Sequence, residues 1–173
     1  MKRFTPLAAL WILLFCCISS CINEDNGPGG NQLEVGDKLP HFQVSDTDGH
    51  LFDSAAGTDS LTVITFFHTG CGDCREELPR LQRVYNVMQD EPVRFLCISR
   101  EEKAQSVTTY WAAHALSLPV SAQSDRHIYS LFASAGVPRT YIADRQGIIR
   151  YIYTDSPLAT ETQLLTAIQT LLH

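Results

Sequence analysis

Two cysteines three residues apart, Cys71 and Cys74, are the residues in this chain whose types and spacing best suit chemistry. They sit in the stretch Phe66-Phe67-His68-Thr69-Gly70-Cys71-Gly72-Asp73-Cys74. The apolar run ahead of it, residues 61–67, reads as a buried strand. Behind it Leu78, Leu81, Val84, Tyr85 and Met88 recur at helical spacing. Cys71 therefore falls at the start of a helix, where backbone N–H groups lack partners and the helix dipole is positive. A thiolate is stabilised in such a place, and the thiolate is the nucleophile. One sulfur to attack and a second close enough to close a small ring are what thiol–disulfide exchange requires. Half of a zinc site and a purely structural disulfide are the other uses of such a pair. For zinc the ligand set is incomplete, because Cys97 stands alone and the six histidines contain no His-x3-His pair. The strand–turn–helix context favours redox use over a structural bridge. No metal and no cofactor are expected.

The elements that must hold this pair can be read along the chain. Residues 41–46 and 50–53 alternate apolar and polar side chains around Asp48-Gly49, a turn dipeptide, and predict an N-terminal β-hairpin. Residues 61–67 form the central strand, and a helix follows over about 72–89 with Pro79 inside it, at a cost of about 3 kcal/mol. Residues 93–99 predict the next strand, with Cys97 as a small core residue. Helices are expected over 101–116, carrying Trp111 on a core face, and over 127–135, with a short strand at 118–121 between them. Gly136-Val137-Pro138 turns into a strand that reaches Asp144, Gln146-Gly147 closes a hairpin onto 148–153, and 160–172 is an amphipathic helix. No internal repeat is present. Alternating strands and helices with a late hairpin give an α/β fold with a central mixed sheet flanked by helices.

The chain has 173 residues, 45% of them hydrophobic, which suits one packed domain behind a leader. Its formal charge is −6, with no basic cluster beyond the N-terminus, so nucleic acid is not an expected partner. Residues 1–20 have the form of a signal peptide: Lys2 and Arg3, then an apolar stretch over 7–18 too short to span a bilayer comfortably. Ile18-Ser19-Ser20-Cys21 resembles a bacterial lipobox, which implies lipidation of Cys21 and a membrane anchor; an ordinary signal peptide cut nearby is the alternative. Residues 21–34, rich in glycine, asparagine and acid, read as the lipidated N-terminus and a flexible linker, with the folded domain over 35–173. Either form of leader implies export to a compartment where disulfides persist.

Cys71-Gly72-Asp73-Cys74 with Pro79 five residues on, together with Gly136-Val137-Pro138-Arg139-Thr140-Tyr141, resembles the thioredoxin superfamily, specifically the TlpA/ResA-like branch of membrane-anchored bacterial thiol–disulfide oxidoreductases. The resemblance runs from about Leu39 to His173. It implies a thioredoxin-like fold with the N-terminal hairpin and an inserted strand–helix pair. It further implies that Cys71 attacks and Cys74 resolves through a Cys71-Cys74 redox disulfide, and that Pro138 is cis, presenting the Val137 backbone to an extended substrate. Glu77 matches a glutamate of this branch, and its offset puts it on the helix face of Cys74; a solvated surface charge is its other reading. The implied partners are protein or peptide disulfides and a membrane electron donor of the DsbD type, with the protein a monomer in the cell envelope, facing the periplasm or on the outer membrane. The chain departs from the superfamily at Gly70, where tryptophan is frequent, at Gly72-Asp73, which lacks the frequent proline, and at Thr65, where thioredoxins carry a buried aspartate. Two other functions stay open. A peroxiredoxin-like peroxidase would want proline and threonine where Ile64 and His68 stand. A redox-inert thioredoxin-fold binding module, for metal or haem-pathway delivery, would not need the thiols.

Overall fold

A computed structural model describes residues 30–56 and 59–173. The expected signal peptide, Cys21 and most of the expected linker lie outside the described residues.

The centre of the molecule is β3, Leu61–Phe67, whose seven residues are all buried. A strand covered on both faces has no polar side to show, which is why its sequence is apolar rather than alternating. It pairs in parallel with β4 (Val93–Ser99) and antiparallel with β6 (Arg139–Ala143). With β5 (Val120–Ser121) beyond β4 and β7 (Ile149–Tyr153) beyond β6, the five-stranded sheet has the order β5-β4-β3-β6-β7 and is mixed. The two remaining strands, β1 (Gln43–Ser45) and β2 (Leu51–Asp53), form the expected hairpin.

Alternation along β3 sorts the layers. Phe67 packs on Trp111 of α2 (Ala104–Ala113), with ring centroids 4.8 Å apart, and Thr65 faces α1 (Gly72–Val87). On the opposite face Phe66 meets Tyr129 and Phe132, and Phe132 in turn meets Phe42 beside the hairpin. The last helix, α3 (Glu161–Leu172), packs against α1 and opens with a capping box between Thr160 and Gln163. The result is a thioredoxin-like fold: a mixed sheet with three helices and an N-terminal strand pair.

Several elements are shorter than their patterns predict, three of them for a tertiary reason. The helix expected over 127–135 is only a 3-10 turn, Tyr129–Leu131. Its last residues give their backbone groups to the N-terminal segment instead: Gln32 N donates to Phe132 O and Ser134 N to Gly30 O. Residues 30–32 of the expected linker are thus paired with the domain, and Gly30 is buried. The helix expected from 101 starts at Ala104, because Glu101 takes a positive φ of 60° and Glu102 N donates to Gln123 O. The strand expected from 118 begins at Val120, since Leu118 O is taken by the Trp111 indole N–H and Pro119 has no N–H to give. Helix α1 runs on through Pro79 to Val87.

Candidate active site

The turn from β3 into α1 carries the dithiol. Cys71 is the N-cap of α1, with φ −83° and ψ 128°, and its sulfur accepts the Cys74 N–H at 3.4 Å. A sulfur thus takes the place usually held by a serine or aspartate oxygen at a helix start. The same sulfur donates to the Val137 carbonyl, also at 3.4 Å. Cys71 is partly exposed, whereas Cys74, within the first turn, is fully buried. Burial pushes the Cys74 thiol far above the ordinary thiol range, and the Cys71 sulfur and the Glu77 charge push the same way. Both are free thiols, as is Cys97. Cys97 is a buried residue of β4, as its pattern predicts, and burial raises its thiol too, which keeps it protonated and inert.

The loop ahead of Cys71 is clamped by groups that the sequence did not single out. The buried Glu102 carboxylate accepts the Thr69 N–H at 2.8 Å and the Thr69 hydroxyl. Arg75 donates to the Thr69 carbonyl at 2.9 Å. Gly70 N–H donates to His68 Nδ1 at 3.0 Å, and a Cβ at position 70 would come within 3.1 Å of that ring. Any side chain at position 70 would therefore press on the imidazole of His68. Nothing in the local pattern marked Glu102; it is found only once the end of β4 is seen beside the end of β3.

Behind the dithiol lies Glu77, only 1% exposed, so the solvated-charge reading does not hold. Thr140 of β6 donates to Glu77 Oε1 at 2.7 Å, and Thr65 of β3 bonds to Thr140 at 2.8 Å. The other carboxylate oxygen, Oε2, has no partner. Burial pushes the carboxyl up to about 7, against the Thr140 hydrogen bond and the Arg80 charge, with Asp155 adding to the rise. The strand position that holds an aspartate in thioredoxins holds Thr65 here, and the buried acid comes from the helix instead.

The third wall is the turn before β6. The Val137-Pro138 bond is cis, as the resemblance implied; Ser156-Pro157 is also cis, which nothing in the sequence indicated. Gly136 has φ +81° and its carbonyl accepts the Tyr129 hydroxyl at 2.7 Å. Arg139, 1% exposed, braces the turn from inside by donating to Ala135 O at 2.8 Å and to the Asn31 side chain. Cys71, Cys74, Glu77, Val137 and Pro138 are therefore brought to one end of the sheet. Cys21, the expected lipidation site, lies outside the described residues. Among the described residues one other group of metal-type ligands occurs, Asp46, Asp48 and His50 on the hairpin turn, where Asp46 is already taken by the backbone N–H groups of Asp48 and His50.

This arrangement can do exchange chemistry: a reachable sulfur at a helix N-terminus, a protected partner sulfur in the same turn, and a buried acid of near-neutral affinity one turn further on. The comparisons with known proteins agree. Residues 35–152 match the family described as AhpC/TSA. The thiol-disulfide oxidoreductase ResA of Bacillus subtilis (strain 168) is 20% identical over 153 residues, 88% of this chain and 86% of that one. A thiol:disulfide interchange protein of the thioredoxin family from Chlorobium tepidum TLS superposes with a TM-score of 0.71 at 20% identity, over 82% of this chain and 99% of that one. A secreted disulfide oxidoreductase of Mycobacterium tuberculosis superposes with a TM-score of 0.66 at 18% identity, over 75% and 96% of the two chains. The chain belongs to the AhpC/TSA family, as a thiol–disulfide oxidoreductase with the thioredoxin fold.

Proposed function

We propose that the protein is a membrane-tethered reductant of disulfides in exported proteins, working through Cys71 and Cys74 in the bacterial cell envelope. The observation that carries this reading is the asymmetry of the two thiols: Cys71 partly exposed at the helix start, Cys74 fully buried behind it. The Cys71 thiolate attacks one sulfur of a substrate disulfide held along Val137. The substrate S–S bond breaks, one substrate sulfur leaves as a thiolate that takes a proton from water, and a mixed disulfide remains. Cys74 then gives its proton to the Glu77 carboxylate and attacks the Cys71 sulfur. The Cys71-Cys74 disulfide closes, and the second substrate thiolate departs. Two electrons pass to the substrate, and a membrane donor of the DsbD type returns them.

Reduction is favoured over oxidation by the local charge. Asp73 lies in the first turn of α1 and the Glu77 charge acts on Cys74, so acids stand close to the dithiol, while Glu76 pairs with Arg80. A strong oxidant needs an unusually stabilised thiolate form, and these acids act against one. Equilibration of the full chain with glutathione buffers should give a potential below about −200 mV; a value near about −120 mV, that of a dedicated oxidant, would overturn the direction of flow. The tether rests on Lys2, Arg3, the apolar stretch and Cys21. Two acyl chains there suffice for stable anchoring. Labelled fatty acid should enter the wild-type chain in a bacterial host and be lost in Cys21→Ala; retained label would refute the lipid anchor.

A further inference from the structure

Among the described arginines, Arg100 alone donates no side-chain hydrogen bond. Arg75, Arg80, Arg83, Arg94, Arg126, Arg139, Arg145 and Arg150 each have at least one acceptor. Arg100 is partly exposed, its Nε is buried without a partner among the described residues, and its guanidinium lies over the Tyr129 ring, 5.4 Å from the centroid. The two acids that follow it in sequence, Glu101 and Glu102, and Asp125, whose carbonyl accepts the Glu101 N–H, are engaged elsewhere. Glu101 pairs with Arg126, both Glu102 oxygens hold Thr69, and Asp125 accepts the His127 N–H. The terminal guanidinium nitrogens of this partly exposed side chain also lack an acceptor among the described residues, and a charged donor without a partner gains when an acceptor arrives.

Its position gives that acceptor a source. Arg100 N donates to Phe67 O at 2.8 Å, extending the β3–β4 ladder by one residue and setting Arg100 beside His68. The His68 carbonyl in turn accepts the Cys71 N–H. On its other side, the Tyr129 ring under the guanidinium bonds through its hydroxyl to Gly136, the residue before Val137. Arg100 is thus linked to both the loop before Cys71, through its backbone, and the turn before Pro138, through Tyr129. A guanidinium offers a planar fork that fits a carboxylate.

We propose that Arg100 is a specificity-determining residue, which takes a side-chain carboxylate of the disulfide substrate and makes acidic segments the preferred class. This rests on the exchange reading above. The test uses the reduced full chain and three peptide disulfides that differ only in the residue beside the cysteine: Glu, Gln or Lys. Wild type should show a kcat/KM for the Glu peptide about tenfold above that for the Lys peptide, carried mainly by KM and shrinking with salt. Arg100→Gln should bring the ratio close to one, Arg100→Lys should keep part of it, and Arg100→Glu should invert it. Far-UV circular dichroism and the rate of Cys71 alkylation check that each variant is folded. A Glu-to-Lys ratio that survives in Arg100→Gln, or a uniform slowing of all three peptides with the ratio intact, overturns the proposal. Failure of wild type to reduce any of the peptides overturns the exchange reading itself, and this inference with it.

Discussion

Glu77 is the described carboxyl that the fold pushes furthest up. A carboxyl with an affinity of about 4.3 in the unfolded chain is pushed up to about 7 by burial. Between those values the folded chain holds a proton that the unfolded chain has released. The contribution of this group to stability is therefore fully present below about pH 4 and is lost as pH rises through about 7. Glu77→Gln keeps an acceptor for the Thr140 hydroxyl but removes the titration. Urea unfolding of the reduced proteins at several pH values should show wild type losing on the order of 3 kcal/mol relative to the variant as pH goes from about 4 to 8. If Glu77 takes the Cys74 proton as proposed, the variant should also resolve mixed disulfides about a hundredfold more slowly. Parallel stability curves and an unchanged rate would reduce Glu77 to a structural partner of Thr140. The offset from Cys74 was legible in the sequence. The Thr65–Thr140 link that holds the carboxylate was not, because those threonines are 75 residues apart and meet only through the β3–β6 register.

At the scale of elements, the turn before β6 sets the geometry of the site. Gly136 has φ +81°, and a Cβ there would lie 3.2 Å from Arg139 Nη2, whereas Gly147, at φ +75°, has open space around it. Alanine at either position meets the left-handed backbone cost of about 1–2 kcal/mol. Only at 136 does it also push on the guanidinium that braces the turn and so move the Val137 carbonyl away from Cys71. Gly136→Ala should lower stability more than Gly147→Ala and slow exchange, while Gly147→Ala should leave exchange unchanged; equal effects on melting temperature and rate would contradict this account of the turn. Local pattern was enough to place β3, β4, the hairpin and α3, since each carries its own periodicity and turn chemistry. It overextended the elements whose ends are decided elsewhere. Residues 127–135 have helical spacing, but residues 30–32 compete for their backbone groups, and a helix pattern carries no information about such a rival.

For the molecule as a whole, the C-terminal end of the sheet gathers a helix start, a buried acid and a cis-proline turn from stretches nearly seventy residues apart in the chain, and the segment leading in from the N-terminus is stitched to the same region through Asn31 and Arg139. In the tethered reading, the described chain enters the domain through residues 30–32, which pair with residues 132–134. The exposed and buried sulfurs then have unequal work, and trapping the intermediate tests that division most directly. Full-length Cys74→Ser and Cys71→Ser chains, each mixed in reduced form with a peptide disulfide and quenched with acid, should differ sharply. Cys74→Ser should accumulate a stable mixed disulfide through Cys71, seen as the added peptide mass, and Cys71→Ser should accumulate none. A mixed disulfide that builds up on Cys74 in Cys71→Ser, with none in Cys74→Ser, would contradict the account.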